Sequence, residues 1–313
     1  MSITELREHK QRISTIDPSL LLGQLAWYEV EEVTLIDYDR FIELTKQYGL
    51  DHVRPNPPTD ANVFRRVVTN AERKRVPAEA EDVSWNFLLR QVQNSGNTIQ
   101  RRLVLETVDS AGQRLDYEQL VDLFYNKDTG AITTVRLQYA NVSAADDVVR
   151  SIIKTVRSDF ARQKNSLNGS AIRDWIRHVL DRARATSVRH GVYFLTQAQA
   201  STISALEQVA DELSSVRVHS LPLIDDRKQR EMLLRAFEDE TVGEVDRMMG
   251  EIAEALKKGT KVSHDRKVAY LGRFQELSEK TQEYAALLEQ NLSGTSSRLG
   301  LFRKQVMTLM GSA

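Results

Sequence analysis

Hydrophobic positions change period along the chain, and each change predicts a different kind of element. The first stretch, to about residue 25, reads as a short polar helix ending at Asp17, because Pro18 disfavours helical geometry in the residue before it. The apolar run LLLGQLAWYEV follows, and from Trp27 to Ile36 the β-formers Tyr28, Val30, Val33 and Leu35 predict a strand. Asp37 then stands at an N-cap position. Phe41, Leu44 and Tyr48 follow at helical spacing, and Gly49 closes the helix. VRPNPPTD, residues 53–60, is a proline-rich connection. After it Asp60 caps a helix with the stripe Ala61, Phe64, Val67, Val68 and Ala71, ended by Pro77 after Val76.

Residues 84–139 change to a period of two. Ile99, Leu103, Leu105 and Thr107 alternate with Gln100, Arg102 and Glu106. Turn signals at Asn94–Gly96, Asp109–Gly112 and Asp128–Gly130 separate four apolar runs, which predicts an antiparallel meander. From Ser170 to Val188 the pattern is helical again, with Ile172, Trp175, Ile176, Val179, Leu180 and Ala183 on one face. GVYFL (191–195), a helix opened by a Thr196–Gln199 capping box, and VRVHSLPL complete a β-α-β unit without a glycine fingerprint.

From Asp226 onward the chain is helical, broken at 257–265 and 292–297. Tyr270, Phe274, Leu277, Thr281, Tyr284, Leu288 and Asn291 alternate by four and three, a heptad seam echoed by Val242, Val245, Met249, Ile252 and Leu256. The expected fold class is α+β. Its parts are an antiparallel domain over 1–142, a segment of basic amphipathic helices with the β-α-β unit over 143–224, and a helical hairpin or coiled-coil tail over 225–313. The seam predicts either closure of the hairpin on itself or pairing between chains, and the sequence does not separate the two.

Composition narrows the chemistry. The 313 residues carry a net charge of −1, with 28% charged and 41% hydrophobic positions, an ordinary globular balance. There is no cysteine, which excludes disulfides, thiolate metal sites and a cysteine nucleophile and suits a reducing, cytoplasmic setting. No apolar run approaches the ~18 residues of a membrane helix, so no membrane role is expected. Phosphate-loop, dinucleotide, nucleophile-elbow and metalloprotease motifs are absent from the sequence. The six histidines are scattered. Asp37 and Asp39 flank a strand-to-helix junction, and Asp116 and Glu118 share a strand face, each pair without a lysine or histidine at a recognisable interval. No catalytic residue, metal ligand or cofactor is assigned.

One charge feature stands out. Residues 150–190 hold ten Lys or Arg against three acids, and Arg157, Arg162, Lys164, Arg173, Arg177, Arg184 and Arg189 are the candidate phosphate contacts within that run. Arg65, Arg66, Arg73, Lys74 and Arg75 form a second basic group. Three segments are also familiar together: WYEV at Trp27 to Val30, VRPNPPTDANVFRR at Val53 to Arg66, and HGVYFLTQ at His190 to Gln197. In this order, ahead of a helical tail, they resemble a family of uncharacterised bacteriophage proteins, a domain of unknown function. The resemblance implies a phage or mobile-element setting and no catalytic residue.

The function expected from these patterns is a non-catalytic interaction or scaffold protein. It would self-associate or bind a protein partner through its tail, with Tyr270, Phe274, Leu277, Tyr284 and Leu288 as the assembly seam. The first alternative is a nucleic-acid-binding accessory protein using the basic segment. The second is a metal-dependent enzyme with dispersed carboxylates.

Overall fold

A computed structural model describes residues 17, 20–78, 80, 82–137 and 143–311. The helix expected before Asp17 lies outside the described residues. In chain order the elements begin with β1 (Leu21–Val30), β2 (Leu35–Asp37), α1 (Tyr38–Gln47), α2 (Asp60–Asn70), β3 (Arg73–Pro77), β4 (Val83–Ser95), β5 (Thr98–Asp109), β6 (Arg114–Asn126) and β7 (Ile132–Arg136). Then come α3 (Ser143–Gln163), β8 (Ser166–Asn168), α4 (Gly169–Arg182), β9 (Thr186–Arg189), β10 (Val192–Thr196), α5 (Ala200–Asp211) and β11 (Val216–Ile224). Helices α6 (Arg227–Lys257), α7 (His264–Leu288) and α8 (Ser293–Gly311) form the tail. The fold is α+β with antiparallel sheets.

Two compact units emerge. Among the described residues, one gathers those up to Glu32, Leu44–Arg54 and those from Arg173 onward; the other holds those of Val33–Glu43 and Pro55–Ile172. In the second, β3 to β7 follow one another in a five-stranded meander. Gly96, Gly112 and Gly130 take positive φ at the three turns that the sequence marks. One face of this sheet buries Phe87, Leu103, Leu123 and Tyr125 against Phe64 and Val67 of α2 and Ile152 and Val156 of α3.

Several local expectations are corrected here. Helix α2 is capped by Thr59, whose hydroxyl accepts from Asn62 N, so Asp60 is its first residue and not its cap. It ends at Asn70; Arg73–Pro77 is an edge strand with Arg75 at φ 55°, where a helix was expected to run to Val76. The first strand ends at Val30 rather than at Ile36, leaving Val33 83% exposed in the turn before β2. Asp37 caps α1 as expected, accepting from Arg40 N at 3.0 Å.

The first unit is built on a four-stranded sheet in the order β11-β1-β10-β9, with every neighbouring pair antiparallel. Its strands and helices run β1, α4, β9, β10, α5, β11, which is the ferredoxin-like β-α-β-β-α-β connection. The predicted β-α-β over 191–223 is present, with β1 interposed between its two strands. Helix α4 stops at Arg182 rather than continuing to Val188, because Arg184 adopts left-handed geometry at φ 54° and turns the chain into β9. No capping bond forms at Thr196. A 3-10 turn over Gln197–Gln199 intervenes, and the Thr196 hydroxyl donates instead to Glu283.

Strand register assigns the two sheet faces. Leu25, opposite Phe194 and Leu221, lies on one face with Trp27, opposite Val192 and His219. Ala26, opposite Tyr193 and Ser220, lies on the other, where Arg177 of α4 reaches Tyr28 and Glu207 of α5 accepts from Ser220. The tail covers part of the first face: Leu22, Phe194 and Leu223 pack with Leu233, Phe237, Tyr284, Leu288 and Leu292. Within the sheet Gly23 permits the close approach of β1 to β10, since a Cβ there would lie 2.0 Å from the Leu195 carbonyl oxygen.

The first tail break falls within the expected 257–265, whereas the second lies at 289–292 rather than at 292–297, because Glu289 takes left-handed geometry at φ 52° and ends α7, and Ser293 to Ser297 already belong to α8. Asp226 caps α6 and Ser263 caps α7. A second core joins α6, α7 and α8 through Val245, Ile252, Tyr270, Leu277, Phe302 and Val306.

Candidate functional site

The seven basic candidates are distributed over both units. In the meander unit, Arg162 pairs with Asp159 at 2.9 Å and Lys164 with Asp60 at 3.1 Å, while Arg157 donates to the Thr134 hydroxyl and has no carboxylate partner among the described residues. Beside it a shallow groove of about 510 Å³ runs along α3, lined by Arg150, Ile153, Lys154, Arg157 and Ser158. In the ferredoxin-like unit, Arg173 donates to the Val30 carbonyl at 2.6 Å and Arg177 pairs with Asp174 at 3.3 Å. Arg184 is held by Glu279 and Glu283, and Arg189 is exposed at the end of the edge strand β9. Arg162, Lys164, Arg177 and Arg184 are thus neutralised by carboxylates of the same chain.

The seam residues divide between two cores. Tyr284 and Leu288 pack on the sheet, whereas Tyr270, Leu277 and the partly buried Phe274 pack with α6 and α8. Thr281 is buried and its hydroxyl donates back to the Leu277 carbonyl; Asn291 is exposed beyond the helix. In α6 the inward residue is Met248 beside Val245 and Ile252, and Leu256 of the expected echo is exposed.

The carboxylates give no constellation. Asp37 is engaged as the α1 cap, and Asp39 accepts from the Asn165 amide at 2.9 Å. Among the described residues no group of three or more His, Asp or Glu is placed to hold a metal ion.

Sequence inspection missed two arrangements. The first is a charged cluster beneath the tail. Lys280 donates to the Ala185 carbonyl and to Glu240, whose other oxygen accepts from Ser187 N. The Lys280 ammonium also lies over the rings of Phe237 and Tyr284, and burial pushes the Tyr284 phenol well above its ordinary range. Nearby, Arg273 binds Glu244, Glu276 and Asp181 together.

The second is on the sheet face beyond the tail. Trp27 and His219 stack with ring centroids 5.3 Å apart and planes 25° apart, both partly exposed. Next to β9 a groove of about 340 Å³ is lined by Val188 and by Lys228, Glu231, Met232, Arg235, Ala236 and Asp239 of α6. The alternation in VRVHSLPL does put Arg217, His219 and Leu221 on one side. What the sequence lacks is a signal that β11 lies beside β1, some 190 residues earlier.

These features define an α+β protein in which a ferredoxin-like sheet carries an inserted meander unit and a helical tail. The chain belongs to DUF6744, a family of unknown function, whose model spans residues 21–313. No curated protein and no solved structure matches it.

Proposed function

We propose that this is a non-catalytic interaction protein that assembles through the distal end of its helical tail. Supporting this reading is the apolar surface there. The α6–α7 and α7–α8 connections are short, and Tyr270 meets both Glu251 and Phe302, so the end of α6, the start of α7 and the end of α8 come together. At that end Leu256, Val268, Met307 and Met310 are exposed although the residues beside them are core. Large apolar side chains left exposed at one end of a helical bundle are what an interaction surface would use. A second copy of the chain is the proposed occupant, meeting tip to tip about a two-fold axis. The absence of cysteine suits a cytoplasmic setting, and the resemblance of the three sequence segments suggests a phage or mobile-element one.

The test is light scattering coupled to size exclusion on the full chain across a concentration series. A dimer that becomes monomeric in the Leu256→Glu/Met307→Glu variant, with an unchanged circular dichroism spectrum, is expected. A monomer at every concentration overturns the proposal.

A further inference from the structure

We propose that the sheet face between Trp27 and α6 binds a single nucleic-acid strand. The proposal rests on the non-catalytic binding reading and names a ligand for a surface distinct from the tail tip. The floor starts from a row of three, His219 on β11, Trp27 on β1 and Val192 on β10, and continues onto β9 at Val188, beside a bulge that sets Arg189 opposite Val192. Trp27 faces His219 on one side and Val192 on the other, and Val188 packs with the core that includes Phe194 on the same sheet face. The tail packs on Leu22, Phe194 and Leu223 towards the opposite end of β1, leaving the Trp27–His219 pair partly open.

Charge and shape decide the ligand class. Along α6, Lys228, Met232, Arg235 and Asp239 follow at spacings of four, three and four, so they form one stripe on the groove wall. Lys228 and Arg235 have no carboxylate partner among the described residues, whereas Glu231 is taken up by Arg227 at 2.9 Å. Arg217, on the same face as Trp27, holds Glu29 only at 3.9 Å. An aromatic ledge beside unpaired cations fits a base stacked on Trp27 with its phosphates along Lys228 and Arg235. Bases stack on open-sheet aromatics in this way whatever their sequence, and a paired duplex, whose bases are already stacked inside, offers no such face. The stripe on this wall carries two cations, one methionine and the acid Asp239, not the row of apolar slots that would seat the side chains of an extended peptide.

Intrinsic fluorescence reads the site directly, because Trp85 and Trp175 are buried and Trp27 is the partly exposed tryptophan. We would titrate the full chain with a fluorescein-labelled oligo-dT 12-mer, an oligo-U 12-mer and a 12-base-pair duplex at 50 mM salt, following anisotropy and tryptophan quenching. Saturable binding of the single strands, weaker binding of the duplex and quenching that disappears in Trp27→Phe are expected. Trp27→Ala should weaken binding at least tenfold with its melting temperature little changed. Lys228→Glu/Arg235→Glu should flatten the dependence of affinity on salt. The Leu256→Glu/Met307→Glu variant should bind the strand as the parent does, so that loss of assembly and loss of binding are read separately. The proposal is overturned by the absence of saturable binding, by equal binding of the Trp27→Ala chain, or by preference for the duplex.

Discussion

The Lys280 ammonium lies 2.8 Å from a Glu240 carboxylate oxygen, joining α7 to α6 beneath the tail, and the same ammonium donates to the Ala185 carbonyl at 2.7 Å. Because Glu240 also accepts from Ser187 N, the pair fixes both tail helices to the chain entering the edge strand β9. Replacing Lys280 by Met leaves a carboxylate and a carbonyl without their donor. The expected loss is about 2 kcal/mol, below the ~3–5 of a fully buried pair because Glu240 keeps contact with water. A double-mutant cycle with Glu240→Gln in urea denaturation checks it; additivity of the two changes would show that the residues act independently.

Gly23 is a second point of dependence. A methyl group there meets the Leu195 carbonyl at 2.0 Å and the Phe194 ring at 2.8 Å, and neither neighbour has room to retreat. Gly23→Ala is expected to cost about 3 kcal/mol or more. Gly49→Ala serves as the control: its φ is +74° but the space around it is open, so about 1 kcal/mol of backbone strain is expected. Equal thermal shifts for the two variants would contradict the close approach.

Phe194 has no exposed surface and stands between sheet and tail, in edge contact with Tyr284. Phe194→Ala is expected to lose about 3–5 kcal/mol. Ending the chain at Leu223 is expected to do more, uncovering Leu22, Phe194 and Leu223 together. The shortened chain should bind ANS and lose its cooperative melt, and a sharp, unchanged transition would show that the sheet stands without the tail.

Acid should loosen the start of the tail. Hydrogen bonds from Arg230 hold the Asp225 carboxyl below the usual carboxylate range, so it binds its proton more weakly folded than unfolded. Its stabilising contribution is therefore complete above the unfolded value of about 4 and is lost as pH falls through the lower folded value. Thermal melts of the parent and Asp225→Asn from pH 7 to 2 should converge at the acid end. A gap that is constant with pH would rule the linkage out.

Much of the local structure was legible in the chain. The meander turns, the buried stripe of α4 and the break between α6 and α7 all follow from periodicity and punctuation that act over a few residues. Edge strand β3 was not: Arg73, Lys74 and Arg75 prolong a helical stripe in composition, and only the left-handed Arg75 and the pairing with β4 reveal otherwise. The heptad seam picked out Tyr270, Leu277, Thr281, Tyr284 and Leu288 as inward residues but failed at Asn291 and Leu256, and it did not give their partners, because the same apolar face suits a sheet as well as a helix. The basic segment shows the opposite difficulty. Counting charges from 150 to 190 includes Arg184, whose carboxylates, Glu279 and Glu283, come from α7. Reversing Arg184 would therefore disturb the fold as well as the surface charge. The Trp27–His219 pair was invisible for the same reason: its two halves come from distant strands.

The placement of β1 has a consequence for how the protein is made. Both of its hydrogen-bonding neighbours, β10 and β11, come more than 160 residues later, with the whole meander unit between. At roughly 5–20 residues per second, the ribosome delivers β10 only some 10–30 s after β1. During that interval the meander unit already has all its strands, while an apolar strand waits with two open edges, a template for pairing with other chains. Yield in the cell should therefore depend on how quickly translation carries the chain from Val30 to Thr196, even though the finished molecule leaves that strand enclosed in the centre of its sheet.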